Sequence, residues 1–295
     1  MSAPRPLLQV ERASVRYTLR GAGLFAPART LDALTDVSIA IPEGGRLGVV
    51  GESGSGKSTL ARVVLGLVRA QAGRVAWEGR TVDYDDATAM RSLRREMQVV
   101  FQDPFGSLDP RMTAGQAVGE ALQALAGPVA SVAAQDRIHA ALSEVGLAAA
   151  FAHRYPHEMS GGQRQRVAIA RAIVARPRLL VCDEVVSALD VSVQAQIVNL
   201  LHELSERYQM SLLFISHNLA VVRHLCDEVA VLCRGRLVEQ GSRAAIFGDP
   251  QAQYSLAWML TNARGIERDD AQAAHLFAAA AEQGMVQAQN MLASM

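Results

Sequence analysis

An α/β protein with a largely parallel core sheet is what this sequence predicts, and three observations carry that prediction. "RLGVVGESGSGKSTLARVVLGLV" reads as a short buried strand that runs through a glycine-rich turn into a helix. "LLVCDE", "SLLFIS" and "EVAVLC" are apolar strands alternating with helical stretches, which implies parallel pairing. Half of the 295 residues are apolar, enough for one large core or for a core with a small appendage.

Taken in order, "LLQVERASVRYTL" and "ALTDVSIAIPEGG" read as strands separated by a Gly/Ala/Pro loop around "GAGLFAPAR". The strand "RLGVVG" enters the glycine turn, and "KSTLARVVLGLV" follows with helical spacing. "GRVAWEGRTV" reads as a hairpin and "MQVVFQD" as another core strand. From Pro104 to Ala175 the spacing is mostly helical. After the three alternating strands, "CRGRLVEQGS" reads as a last hairpin turning at Arg234–Gly235. The tail repeats itself: "QAQYSLAWM" starts at Gln251 and "QAQNMLASM" at Gln287, 287 − 251 = 36 residues apart, with six of nine positions identical. Between them lie a loop, "ARGIERDD", and an amphipathic helix, "AQAAHLFAAAAEQG", ending in a glycine stop.

Lys and Arg number 29, as do Asp and Glu, so no net charge draws the chain to nucleic acid or anionic lipid. No uncharged apolar stretch has the length of a membrane helix, and the N-terminus has no apolar signal core. The expectation is a cytosolic chain that does not span a membrane. Cys182, Cys226 and Cys233 show no metal spacing and read as inert thiols in a reducing compartment.

"GESGSGKST" fits the phosphate-binding loop G-x-x-x-x-G-K-[ST], between a strand and a helix as that motif requires. Gly51, Glu52, Ser53, Gly54, Ser55, Gly56, Lys57, Ser58 and Thr59 are the expected nucleotide-binding residues. The glycines let backbone N–H groups face phosphates, and the helix start adds a favourable dipole. Lys57 would reach the β- and γ-phosphates and Ser58 would ligate Mg²⁺. Asp183, ending an apolar strand, would hold Mg²⁺ from a second side, and Glu184 beside it would orient and deprotonate water. A positioned base is worth ~10²–10⁴ in rate. The plain alternative for two acids at a strand end is a helix cap and a solvated turn.

Together these segments resemble the nucleotide-binding subunit of an ABC transporter. The phosphate loop, "VVFQDPFGSLDPRMT", "RYPHEMSGGQRQRVAIARAI", "VCDEVVSALD" and "LLFISHNLAVV" stand in that family's order and spacing. Their wording is nearest to the oligopeptide/dipeptide importer group, over roughly residues 7 to 250. The resemblance implies an ABC-type fold: a core sheet, an antiparallel β-subdomain and a helical subdomain at about 104–175. It makes residues 1–250 the ATPase domain and 251–295 a partial helical repeat tail. It implies ATP and Mg²⁺, with Gln102 reaching the metal or water, His217 on the γ-phosphate and Tyr17 stacked on adenine. Ser160, Gly161, Gly162 and Gln163 open a helix suited to an anion, and the basic "QRQR" that follows supports an anion-binding reading. The resemblance assigns them, with Asp190, to the ATP of a second ABC ATPase subunit. Transmembrane permease subunits, and indirectly a solute-binding protein, are the further implied partners, at the cytoplasmic face of a membrane and without nucleic acid.

Two departures qualify this. Val185 stands where the family usually has proline, a residue that would restrain Glu184 towards extended backbone. Valine removes no catalytic atom, so hydrolysis is expected to persist. The tail differs from the importer group and resembles a Sel-one-like repeat, which at one unit and a fraction needs the ATPase core or a partner to cover its apolar face. The main expectation is an ATPase energising import of peptides or similar solutes. The alternatives are a non-transport ABC ATPase and a nucleotide-sensing scaffold that binds a protein through its tail.

Overall fold

The computed structural model describes residues 6–19, 29–102, 104–127, 130–262, 268–283 and 285–294. The loop expected around "GAGLFAPAR", most of "ARGIERDD" and the glycine stop at Gly284 lie outside the described residues.

In chain order the strands and helices begin with β1 (Leu8–Leu19), β2 (Arg29–Ile41), β3 (Arg46–Val50), α1 (Lys57–Val64), β4 (Ala72–Trp77) and β5 (Arg80–Thr81). Next come α2 (Ala87–Glu96), β6 (Met97–Val100), α3 (Pro104–Ser107), α4 (Ala114–Ala126), α5 (Ser131–Glu144) and α6 (Gly161–Ile173). Then follow β7 (Leu179–Asp183), α7 (Val191–Tyr208), β8 (Ser211–Ile215), α8 (Leu219–Leu225), β9 (Glu228–Cys233) and β10 (Arg236–Ser242). Four helices close the chain: α9 (Arg243–Gly248), α10 (Pro250–Thr261), α11 (Asp270–Glu282) and α12 (Val286–Ser294).

The chain forms two compact units, one of residues 1–41, 46–81 and 215–295, the other of 42–45 and 82–214. In the first, an antiparallel sheet runs β2-β1-β4-β5. Leu8, Val10, Ala13 and Val15 of β1 are buried, although the step from Val10 to Ala13 breaks strict alternation. A bulge there, with Arg12 at φ 51°, absorbs the extra residue and keeps the apolar side inward. β3 pairs in parallel with β9, and β9 turns back into β10 at Arg234–Gly235, both with positive φ. α1 is shorter than its apolar spacing suggested, because Leu65 caps it and Gly66 leaves at φ 68°.

In the second unit, β6 and β7 pair in parallel with Val100 opposite Cys182, and every residue of β7 and β8 is buried. The helical stretch between β6 and β7 is α3 to α6, as the spacing predicted. α2 was not foreseen. Asp86 starts it by accepting hydrogen bonds from the Thr88 and Ala89 N–H groups at 2.8 and 3.1 Å.

The tail packs as a layered pair. Ala252, Leu256, Ala257 and Leu260 of α10 are buried, as are Ala273, Leu276, Phe277 and Ala280 of α11. The Tyr254 ring meets Phe277 edge-on at 5.5 Å. Gln253 Nε2 donates to Phe247 O at 2.5 Å, tying α10 to α9, and the Arg223 guanidinium lies 5.9 Å from the Phe247 ring. Cys226, the C-cap of α8, is buried, and that burial pushes its thiol well above the ordinary range, in keeping with an inert structural cysteine.

Candidate functional site

The phosphate-loop half of the site is built within the first unit. β3 is buried, and Gly48 lets it press on α8, since a Cβ there would stand 2.4 Å from Val222 Cγ1. The loop leaves β3 at Gly51 (φ 155°), where a Cβ would meet Leu232 O at 2.2 Å. It enters α1 at Gly56 (φ 107°), where a Cβ would meet Ala33 O at 2.4 Å. Side chains are excluded at both points by backbone oxygens, which cannot move aside as flexible side-chain atoms do.

The loop is braced from outside. Ser55 N–H donates to Glu52 O at 3.0 Å, Gly235 N–H to Ser55 O at 2.9 Å, and Thr35 N–H to Gly235 O at 2.7 Å. The hairpin turn of β9–β10 is thereby wedged between the phosphate loop and β2. The sequence showed Arg234–Gly235 only as a turn, because its supporting role rests on partners far away in the chain.

Lys57 is 4% exposed, and its ammonium donates to Gly51 O and Glu52 O at 2.6 and 2.7 Å. Ser58 and Thr59 follow, half-buried, in the first turn of α1. At the N-cap of α1 no side chain makes a hydrogen bond, Gly56 having none. Beside Gly54, its chain neighbours aside, no atom lies within 4 Å of where a Cβ would be, so the outer side of the loop is open there. A lysine ammonium, a hydroxyl and a helix start without a side-chain cap around that open side fit the phosphates of a nucleotide and an associated Mg²⁺.

His217 belongs to the same unit. Ser216 N–H donates to Val49 O at 3.1 Å, which places the His217 segment beside the strand end feeding the loop. Asn218 then caps α8, accepting from the Ala220 and Val221 N–H groups. Tyr17 lies opposite Leu31 in the β1–β2 register, three residues along β2 from Leu34, whose Cδ2 lies 2.9 Å from where a Cβ on Gly56 would stand. Its ring is half-buried, and its hydroxyl is enclosed without a partner among the described residues.

The second unit holds the acids and the second anion-suited helix. Asp183 ends β7 at 9% exposure. The pairing of Val100 with Cys182 brings Gln102, which is exposed, to the same end of the neighbouring strand as Asp183. Glu184 adopts φ 52°, in the left-handed region and away from the extended backbone that the family's proline would favour. The turn explains it: Ser187 N–H and Oγ both donate to Glu184 O, at 3.2 and 2.9 Å, folding the chain sharply after the strand. Val185 and Val186 are each 2% exposed and packed as core.

Ser160 caps α6 in a complete capping box. Gln163 N–H donates to Ser160 Oγ at 3.3 Å, and Ser160 N–H to Gln163 Oε1 at 3.0 Å. A Cβ on Gly162 would stand 2.6 Å from Val193 Cγ1, so the start of α6 presses on the start of α7. Gly161 likewise faces Leu189. The start of α7 is capped by Asp190, which accepts from Ser192 Oγ at 2.7 Å and Val193 N–H at 3.0 Å. Those hydrogen bonds hold the Asp190 carboxyl below the usual carboxylate range. Ser160, Gly162 and Gln163 line one cavity of about 560 Å³ with Val193 and Gln196.

The arginines of "QRQR" hold backbone as well as charge: Arg164 Nε donates to Pro156 O, and Arg166 Nη1 to Val145 O, each at 2.6 Å, and Arg166 lines the same cavity. Their guanidinium groups brace the backbone leading into the helix. Gln165 between them was passed over. It is fully buried, and neither amide atom finds a partner among the described residues. No local sequence signal marks it.

Comparison with known proteins adds to this geometry. A family model described as ABC transporter matches residues 34–187. The chain is 43% identical to an oligopeptide transport ATP-binding protein of Haemophilus influenzae over 86% of its own length and 77% of that protein's. The Salmonella typhimurium counterpart is 44% identical, over 86% of this chain and 76% of its own. A glutathione import ATP-binding protein of Shigella flexneri is 44% identical over 85% of this chain but 40% of that protein. Among solved structures, a dimeric ATP-binding cassette in a post-hydrolysis state with ADP and Pi superposes with TM-score 0.70 at 27% identity, covering 80% of this chain and 98% of its own. An ABC transporter component from Clostridium perfringens superposes at 0.72 and 26% identity, covering 88% and 97%.

Proposed function

The chain belongs to the ABC transporter ATP-binding family, and from that premise we propose that it hydrolyses ATP to energise solute import through separate permease subunits. Oligopeptides are the solute class we favour, from the relatives' stated role in oligopeptide transport. The observation that carries the reading is the phosphate loop itself. It combines a buried lysine held over its carbonyls, glycines at Gly51 and Gly56 where backbone forbids side chains, and an uncapped helix start.

Within that reading, the Lys57 ammonium exchanges its carbonyl partners for phosphate oxygens and neutralises their charge. Ser58, Gln102 and Asp183 are the residues we assign to Mg²⁺. The ion, when bound, neutralises charge on the phosphates as phosphoryl transfer proceeds. Glu184 orients the attacking water and takes its proton, and His217 donates to the γ-phosphate. Tyr17 offers its ring to the adenine. Ser160, Gly161, Gly162, Gln163 and Asp190 serve the ATP of a second subunit, so the working form is a dimer. Among the described residues no single helix is long and apolar enough to cross a membrane. The permease is therefore assigned to other chains, with this one attached at the cytoplasmic face. The domain limits we adopt are 1–250 for the ATPase and 251–295 for the tail.

The test is ATP turnover against protein concentration for the wild type and Glu184→Gln. Turnover should rise more steeply than linearly with concentration, as dimerisation requires, and fall by ~10²-fold or more in Glu184→Gln. Linear turnover that survives Glu184→Gln would contradict the proposal.

A further inference from the structure

β2 passes the phosphate loop at Gly56, and its pairing with β1 is irregular there. Val15 stands opposite Leu34, Arg16 opposite Asp32 and Tyr17 opposite Leu31. The register thus slips by one residue between the first two pairs, and Ala33 is extra on β2. Without that bulge Leu31 and Leu34, three residues apart, would point to opposite faces of the sheet. With it they share the face that carries Val15 and Tyr17. Arg16 and Asp32, on the other face, pair with each other in solvent, 62% and 53% exposed.

The shared face is the one that meets the phosphate loop, because Leu34 Cδ2 lies 2.9 Å from where a Cβ on Gly56 would stand. From that contact outward the strip loses its cover. Leu34 and Val15 are each 1% exposed, Tyr17 is half-buried, and Leu31 is 51% exposed. An apolar side chain therefore stands half in solvent beside Tyr17, across the strand pair from it. Three residues of strand cover at most about 10 Å, a span that the ribose and α-phosphate of one nucleotide bridge.

We propose that Leu31 is a second base-binding residue, forming with Tyr17 an apolar shelf for the base of the nucleotide whose phosphates occupy the Gly56 end. The inference rests on the reading of the phosphate loop as a nucleotide site, and it adds a residue that no motif marks. Binding would take the open part of the Leu31 side chain out of water, which is where its contribution comes from. Tyr17 contributes its ring to the shelf and not its hydroxyl, which is enclosed. The bulge at Ala33 is what turns Leu31 to this side, so the same irregularity that lays Leu34 on Gly56 also completes the shelf.

The measurement is calorimetric binding of two ligands to the full chain, each with Mg²⁺: the non-hydrolysable imido analogue of ATP, and inorganic tripolyphosphate. Leu31→Asn keeps the size of the side chain but makes it polar. It should weaken the ATP analogue at least ~fivefold and leave tripolyphosphate within about twofold of wild type, since only the first carries a base. Leu31→Met should hold the analogue within about twofold of wild type, because it restores apolar contact. In Leu31→Trp a new indole joins Trp77 and Trp258, and fluorescence should change with the ATP analogue but not with tripolyphosphate. Unchanged affinity of Leu31→Asn for the analogue, or equal weakening of both ligands, would overturn the inference and leave the ATPase reading standing. Failure of the wild type to bind either ligand would overturn both.

Discussion

Two helix starts in this molecule are suited to phosphate, and they are finished differently. α1 begins at Gly56, whose N-cap makes no side-chain hydrogen bond. α6 begins at Ser160, where Ser160 and Gln163 complete each other's hydrogen bonds. The first start has no side chain closing it, and the second is closed by its own capping box. Under the proposed function, the closed start waits for a phosphate delivered by another subunit, and the open one serves the chain's own nucleotide.

The contrast is broken most severely at Gly56. Gly56→Ala sets a methyl against Ala33 O and shifts the loop, and misplacement on the ångström scale costs ~10²-fold in rate. ATP turnover beside a thermal melt measures it, the rate falling far more than the stability. At the other helix, Ser160→Asp separates capping from anion binding, because aspartate caps as well as serine but repels phosphate. Its melting temperature should match wild type while turnover drops about tenfold to thirtyfold. Ser160→Ala removes the cap instead and should destabilise by ~1 kcal/mol, seen in a urea midpoint.

A smaller effect sharpens the comparison at α7. The Asp190 carboxyl is held below the usual range by Ser192 and Val193, so it stabilises the fold above its unfolded pKa, and that stabilisation is lost as pH falls through the folded value. Asp190→Asn should therefore lower the melting temperature at neutral pH and lose its effect once the pH has fallen through the folded carboxyl's lowered titration. Smallest of all is Val185→Pro. It restores the family's usual residue without adding or removing a catalytic atom, and we expect turnover within ~threefold of wild type.

The strand–loop–helix of the phosphate site and the places of the core strands along the chain were legible because each is local: a few neighbouring residues dictate backbone geometry. The capping box at Ser160 was readable as far as its helix start, for the same reason. What stayed hidden depends on contacts remote in sequence or on backbone turns without a sequence rule. The bracing role of Arg164 and Arg166, tied to carbonyls of Pro156 and Val145, could not be read from the residues themselves. Nothing in the sequence announces the left-handed backbone of Glu184, which accompanies two hydrogen bonds from Ser187 to its carbonyl. α2 was missed because "ATAMRSLRRE" buries only Met90 and Leu93, too weak an apolar stripe to stand out beside its charges.

Surface hairpin tips are ordinarily where a chain accepts insertions, tags or proteolytic nicks. The β9–β10 tip is different, because Gly235 is buried and joined by hydrogen bonds to Ser55 on one side and Thr35 on the other. It works as a keystone: a residue added there would push directly on the nucleotide loop. Engineered reporters, and lineages gathering insertions, should both avoid residues 234–235 even though Arg234 lies open to solvent.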